Sequence, residues 1–313
     1  MLEIAEVPQR PPGAGEVCVA VAAAGLNRAD LLQRRGLYPP PADAPADVPG
    51  LEYAGTIAAV GEDVREFSVG DRVMGLVGGG AMRTALVVHH REVMRMPEGM
   101  SFEEAAAVPE AFVTVWDALF LQADLTPGET ALLHAAASGV GTAAMQLCRA
   151  AGVRTIGTAR TASKLAQVKP LGLDEGVVAQ DGRFADAVLA LTGPRGVDVV
   201  LDPVGHAYFE DNLRALAPCG RLVLLGLMGG AFGELSLAPI LMKRLKILGT
   251  VLRSRPHEEK AQLTQSFARV VLPMFGRGLL RPVVDAVMPM HAIREAHARM
   301  ERNDTVGKLV LTW

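Results

Sequence analysis

The chain has 313 residues, 50% of them hydrophobic and 21% charged, so it is long enough for two cores of ordinary size and has none of the composition of a disordered chain. A formal net charge of −3 argues against nucleic acid or an anionic membrane surface as the main partner. No apolar run is long enough to cross a bilayer, no basic-then-apolar leader opens the sequence, and three scattered cysteines (Cys18, Cys148, Cys219) form neither a disulfide framework nor a zinc cluster; a reducing cytoplasm is the expected compartment.

Residues 1–109 read as β-rich and loop-rich. A strand is expected over 16–23, a short helix over 27–35, a proline-rich loop over 37–49, and a strand over 55–60 that ends in Gly61-Glu62-Asp63. Ser68 to Met74 repeats that strand-and-turn pattern, and Gly78 to Gly80 supplies another bend. Short strands between Gly and Pro turns suggest a small, partly open barrel. From Ser101 the texture changes. Ser101-x-x-Glu104 is a capping box ahead of an alanine-rich helix, and 109–121 reads as a second helix. Strands over 130–134, 153–158, 177–179, 197–201, 221–225 and 246–251 then alternate with helices, which predicts a doubly wound parallel sheet. Beyond Arg255 come a long helix over 258–275, a helix over 293–302 and a last strand over 308–312, a tail expected to return to the first domain. The fold class is therefore α/β in two domains, 1–109 with 255–313 and 110–254.

The most informative stretch is Thr130 to Thr158. A short apolar strand leads into Ala135, Ala136, Ala137, Ser138, Gly139, Val140 and Gly141, then into a helix with apolar residues at Ala144, Leu147, Cys148 and Ala151. Free N–H groups at a helix start carry partial positive charge and can bind a diphosphate, provided side chains do not block its approach. Ala136, Ser138 and Gly141 occupy the slots of the G-x-G-x-x-G fingerprint, with Gly139 in addition. An ordinary tight turn would look similar. The strand before, the helix after and the second strand on schedule favour a dinucleotide site.

An NAD site would place an acid at the end of the second strand. Here that region reads Gly157-Thr158-Ala159-Arg160-Thr161-Ala162-Ser163-Lys164. Arg160 and Lys164 would repel nothing on NADP and could pair with its 2′-phosphate, so NADPH is the expected cofactor. Their alternative reading is a pair of solvated surface charges. Turns Asp202-Pro203-Val204-Gly205 and Gly226-Leu227-Met228-Gly229-Gly230 follow the fourth and fifth strands and are expected to line the cofactor, with Gly229 and Gly230 read mainly as turn-formers.

These residues carry a resemblance. The chain resembles the zinc-free quinone oxidoreductase branch of the medium-chain dehydrogenases/reductases, most closely its p53-inducible type, through Asn27-Arg28-Ala29-Asp30-Leu31, Gly36-x-Tyr38-x-Pro40-Pro41, Gly50-x-Glu52, Ser138-Gly139-Val140-Gly141-Thr142, Leu227-Met228-Gly229-Gly230, Leu252-Arg253-Ser254-Arg255, Glu295-Ala296-His297, Met300-Glu301 and Gly307-Lys308. It implies a GroES-like β-barrel catalytic domain, a Rossmann domain, NADPH, and one- or two-electron reduction of quinones between the domains. It also implies cofactor contacts from Thr114, Leu252, Arg253 and Lys308, a nicotinamide side lined by Asn27 and Asp30, and a homodimer through the last strands of the nucleotide domain. Relatives open with a further strand before the segment matching Leu2-Glu3-Ile4, so an unpaired sheet edge is expected. A tyrosine frequent after their third strand is replaced near Ala179, which puts that adenosine contact in doubt.

Zinc-dependent relatives use a cysteine, a G-H-E motif and a cysteine quartet; this chain has Asn27, Gly50-Leu51-Glu52 and no quartet, and neither His89-His90 nor His291 and His297 has zinc-helix spacing, so no metal is expected. Quinones are electron-poor acceptors that ask mainly for stacking, desolvation and distance. Tyr38 is the leading hydroxyl donor to a developing phenolate, against the reading of a half-buried loop aromatic, and the resemblance adds Ser138. Asp30 could equally be a structural helix acid. Reduction of an enone or enoyl thioester, and non-catalytic NADPH binding, are the competing functions.

Overall fold

The structure is a computed structural model that describes residues 2–42, 44–179 and 181–313. Two compact units divide it, Met1–Val113 with Leu252–Trp313, and Thr114–Val251. These boundaries lie a few residues from the expected 109/110 and 254/255, because the helix that opens at Pro109 runs through the first of them.

The first unit begins with β1 (Glu16–Leu26), α1 (Arg28–Arg34), β2 (Glu52–Val60), β3 (Arg72–Leu76), β4 (Ala85–His89), β5 (Val93–Arg95), α2 (Phe102–Ala105) and α3 (Pro109–Val115). The expected capping box starts α2: the Ser101 hydroxyl accepts from the Glu104 N–H at 3.2 Å, and the Glu104 carboxylate accepts from the Ser101 N–H at 3.0 Å. Residues 109–121 do not form one α-helix; Trp116–Gln122 widens into π geometry. There the Asp117 carboxylate accepts from Thr250 Oγ1 at 2.8 Å, a side-chain bond to a residue far along the chain that no local pattern announces.

The second unit continues with β6 (Thr130–Leu133), α4 (Gly139–Ala150), β7 (Arg154–Ala159), α5 (Ala162–Val168), β8 (Glu175–Val178), α6 (Ala185–Thr192), β9 (Val197–Asp202), α7 (His206–Ala215), β10 (Leu216–Leu224), α8 (Ala238–Lys243) and β11 (Lys246–Gly249). All six strands are parallel, in the order β11-β10-β9-β6-β7-β8. The chain thus winds outward from β6 in one direction, returns, and winds outward from β9 in the other, the doubly wound Rossmann order with its switch point between β6 and β9. Both central strands are almost wholly buried, which suits the apolar runs Ala131–Leu133 and Val199–Leu201 within them. Strand β10 begins at Leu216 rather than 221, with Cys219 at φ 63° where its pairing with β9 is interrupted.

The chain then returns to the first unit through α9 (His257–Val270), α10 (Leu272–Gly276), β12 (Val284–Pro289), α11 (Ile293–Arg302) and β13 (Lys308–Thr312). The single helix expected over 258–275 breaks at Val271, because Pro273 lacks an N–H and sits naturally in the first turn of a new helix. β13 pairs antiparallel with the C-terminal half of β1, completing a seven-stranded sheet ordered β12-β13-β1-β2-β3-β5 with β4 also on β1. Tyr53, Ile57, Val19, Val73 and Leu86 are among the side chains of its core. The segment 2–12 adds no strand to this sheet, and Met1 lies outside the described residues.

Candidate functional site

At the end of β6, Ala135 adopts φ 50°, a left-handed conformation that turns the chain sharply after the buried strand. The Ala136 N–H is anchored on the Thr158 carbonyl at 2.9 Å and the Ser138 N–H on Ala135 at 2.8 Å. Ser138 is the N-cap of α4: its Oγ accepts from the Gly141 N–H at 3.0 Å. A Cβ on Gly141 would stand 2.5 Å from the carbonyl oxygens of both Ala135 and Ala136, so only glycine fits the close passage of helix over turn. Ser138, Gly139 and Val140 are partly solvent-accessible, and the N–H groups of Gly139 and Val140 belong to the first helical turn, where α-geometry offers no internal acceptor. The turn therefore combines N–H donors that lack a helical acceptor, on partly accessible residues, with an absence of bulk, the requirements for holding a diphosphate.

The two later turns are joined to each other. The Gly229 N–H donates to Val204 O at 2.6 Å, the Met228 N–H to Pro203 O at 3.3 Å and the His206 N–H to Gly230 O at 3.0 Å. A Cβ on Gly226 would meet Pro203 O at 2.8 Å, and Gly205, at φ 85°, faces Leu227 and the Gly230 carbonyl. Asp202 organises this pair of turns: Oδ1 accepts from the N–H groups of Val204 (2.6 Å) and Gly205 (3.1 Å). Burial pushes its carboxyl up to about 6 despite these donors. Asp202 acts here from within the protein, as the anchor of its turn. Arg160 is exposed at the end of β7 and Lys164 half-buried in the first turn of α5, whose N-cap is Thr161. Thr114 is buried on α3, at the start of this unit.

In the first unit Asn27 caps α1, and its N–H donates to Asp30 Oδ2 at 2.8 Å while the Gly50 N–H donates to Asp30 Oδ1 at 2.9 Å. Asp30 is fully buried, and burial lifts its carboxyl to about 6. Glu52, also fully buried, accepts from Asn27 Nδ2 at 2.9 Å and from the Glu110 N–H at 2.8 Å, and pairs with Lys308 Nζ at 2.5 Å. Lys308 further donates to Leu26 O at 3.0 Å and to Asn27 Oδ1. The three protons of its ammonium are thus engaged inside the unit. Arg253 is similarly committed: Nε to Gly78 O (2.6 Å), Nη1 to Tyr38 O (2.8 Å) and Nη2 to Gln33 Oε1, with its Cζ 4.9 Å from the Tyr38 ring centre. Leu252 beside it is buried. Tyr38 is half-buried, and burial, then the Glu110 charge, raise its phenol. The Glu110 carboxyl is pushed to about 8 by burial and by Glu52, against the pull of Lys308. Among the described residues, no three His, Cys, Asp or Glu side chains assemble as a metal site.

Sequence reasoning missed Glu110 as a perturbed acid and Gln33 as the partner of Arg253. It also passed over His134 and Asn212, both at least 98% buried; a histidine at the end of an apolar strand was the one signal available.

Residues 13–98 match the alcohol dehydrogenase GroES-like domain family and residues 139–269 the zinc-binding dehydrogenase family. The rat protein "Quinone oxidoreductase-like protein 2" is 32% identical over 99% of this chain and 89% of its own length. The chain belongs to the zinc-free quinone oxidoreductase branch of the medium-chain dehydrogenases/reductases. The rat "Synaptic vesicle membrane protein VAT-1 homolog" is 33% identical over 96% of this chain and 77% of its own. Among solved structures, Escherichia coli quinone oxidoreductase complexed with NADPH superposes on this branch member with a TM-score of 0.86 at 28% identity, covering 99% and 95% of the two chains. CurK enoyl reductase does so at 0.84 and 31%, covering 98% and 93%. Among the described residues of this medium-chain oxidoreductase, no helix is long and apolar enough to cross a membrane.

Proposed function

We propose that this chain is an NADPH-dependent quinone reductase that works without a metal ion, in the cytoplasm and as a homodimer. The observation that carries the reading is the turn from Ala135 to Gly141, where a Cβ on Gly141 would strike two carbonyl oxygens and the N–H groups at the start of α4 lack helical acceptors. That cradle fits the diphosphate of a nicotinamide dinucleotide. The N–H groups of Gly139 and Val140 would hold it, with the joined turns at Val204–Gly205 and Gly226–Met228 lining the cofactor and Thr114 at the back of the nicotinamide. Arg160 and Lys164 would pair with a 2′-phosphate, and the NADPH bound to the E. coli relative supports that choice. When bound, the dihydronicotinamide supplies the reducing equivalents.

The protein's own part is to bind, orient and hydrogen-bond. Tyr38 would donate its phenolic proton to the oxygen on which charge develops, and its raised pKa keeps that proton in place at neutral pH. Ser138 fixes the start of α4, and its hydroxyl hydrogen remains available to the cofactor side. Asn27 and Asp30 act through their scaffold, since their polar atoms already hold Glu52, Lys308 and the Gly50 N–H. Enoyl thioester reduction is the second reading, favoured by the likeness to CurK, with Tyr38 as the proton donor to carbon.

Fluorescence titration with NADPH and NADH, followed by turnover with a quinone, an enone and an enoyl thioester, tests this. NADPH is expected to bind at least about tenfold more tightly than NADH, and Arg160→Ala to remove most of that difference. The quinone is expected to turn over fastest and Tyr38→Phe to slow it about tenfold or more. Equal affinity for both nucleotides, or full activity in Tyr38→Phe, would remove the corresponding assignment.

A further inference from the structure

The nucleotide-binding unit contains a buried chain of side-chain hydrogen bonds that spans the ends of three strands. His134, directly after β6, has Nδ1 2.8 Å from Thr158 Oγ1 on β7 and Nε2 2.6 Å from Asn212 Oδ1 on α7. Asn212 Nδ2 donates to Asp202 Oδ2 at 2.8 Å. Thr158, His134, Asn212 and Asp202 are each at least 98% buried, and the rings of Phe184 and Tyr208 close over His134 with centroids at 4.6 and 4.8 Å.

The proton positions in this chain follow from its chemistry. A carboxylate only accepts, so the Asn212 amide nitrogen faces Asp202 and its oxygen faces His134. That oxygen also only accepts, so Nε2 carries the imidazole proton. Burial keeps the ring neutral, which leaves Nδ1 as an acceptor for the Thr158 hydroxyl. Every member then has one defined orientation, and the chain ends on the carboxylate that holds the N–H groups of Val204 and Gly205. That turn in turn carries the 226–230 segment through the Gly229 and His206 N–H bonds. His134 itself precedes Ala135, where the chain swings into the bulk-free bend.

We infer that His134 and Asn212 are positioning residues for the nucleotide site, holding Asp202, and through it both later turns, in the one arrangement that receives the coenzyme. A leucine and a phenylalanine could fill this space beside Leu132, Ile156 and Val200 without the cost of burying polar groups. What they could not do is fix the rotation of Asp202. The inference rests on the nucleotide-binding reading above.

The test uses the full chain and three variants. In His134→Gln the side-chain amide can still donate to Asn212 as Nε2 does. His134→Asn has a shorter amide that reaches towards Thr158 but not Asn212, and Asn212→Leu cuts the chain at its centre. NADPH Kd by fluorescence, KM for NADPH, kcat and the thermal midpoint are measured for each, with the wild-type imidazole tautomer read from ¹⁵N chemical shifts. His134→Asn and Asn212→Leu are expected to raise Kd and KM for NADPH about tenfold with kcat within about twofold, while His134→Gln stays within about twofold of wild type throughout. The wild-type proton is expected on Nε2. A proton on Nδ1, equal behaviour of the Gln and Asn variants, or midpoints that fall while Kd stays constant would each overturn the inference, the last leaving a purely structural role. The tautomer measurement needs no variant and can still overturn the inference should the substitutions prevent folding. Failure of the wild-type protein to bind NADPH would remove the proposed function and this inference together; wild-type binding with an unaltered Kd in Asn212→Leu would remove this inference alone.

Discussion

Gly141 and Ala135 show how narrowly single residues define the bend that precedes α4. Ala135 holds a left-handed backbone conformation that costs a non-glycine residue about 1 kcal/mol, and the cost persists because the Ala136 and Ser138 N–H groups lock the turn on either side. Gly141 tolerates no side chain, since both atoms it would strike are backbone oxygens that cannot swing aside. Gly141→Ala is therefore expected to lower stability by about 2–4 kcal/mol, seen as a drop of several degrees in the thermal midpoint, and to abolish NADPH binding. A midpoint within about a degree of wild type would mean that the helix start relaxes freely. The bulk-free bend at Ser138–Gly141 was legible in the sequence because its geometry is local, built between neighbours a few residues apart. His134 and Asn212 were not, because their bond joins positions 78 residues apart.

At the scale of elements, charge burial in the first unit makes a pH prediction. Glu110 in the first turn of α3 and Asp30 on α1 carry carboxyls raised to about 8 and about 6, with burial the main cause in each. Unfolded, both titrate near the ordinary carboxylate range around 4. Between roughly pH 4 and 8 the native protein therefore holds protons that the unfolded chain has released, and stability falls as pH rises through that window. The thermal midpoint is expected to decline from pH 6 to 9, and Glu110→Gln, which keeps the shape without the titration, to flatten the decline above pH 7. An unchanged slope in the variant would place the proton elsewhere. The interior of these elements was readable from periodicity and caps, as the α2 capping box illustrates. Their irregularities were not. Within the π stretch over Trp116–Gln122, Asp117 meets Thr250, a partner met only in the folded chain.

At the scale of the whole molecule, the edge of the parallel sheet carries the remaining prediction. β11 is a terminal strand of the order β11-β10-β9-β6-β7-β8, and α8 before it exposes Leu241 (79%) and Met242 (81%), with Phe232 at 92% in the preceding segment. An unpaired edge flanked by exposed apolar side chains is a surface suited to a second copy of the chain. Sedimentation at micromolar concentration is expected to give the mass of two chains, and Leu241→Asp with Met242→Glu to give that of one. A wild-type mass of one chain would refute the homodimer.

The sequence alone determined the two-domain α/β plan, the doubly wound alternation and the bulk-free bend, since these follow from residue type read over short spans: apolar period, turn chemistry and the absence of a Cβ. Which polar groups face one another in the interior was set by folding in three dimensions. The fold closed the Lys308 ammonium onto Glu52 and Asn27, set Arg253 against Gly78, Tyr38 and Gln33, and threaded His134 to Asp202 through Asn212. The physical reason is that a buried charge or amide must find its partner wherever the fold brings one, and that distance in space has no signature along the chain.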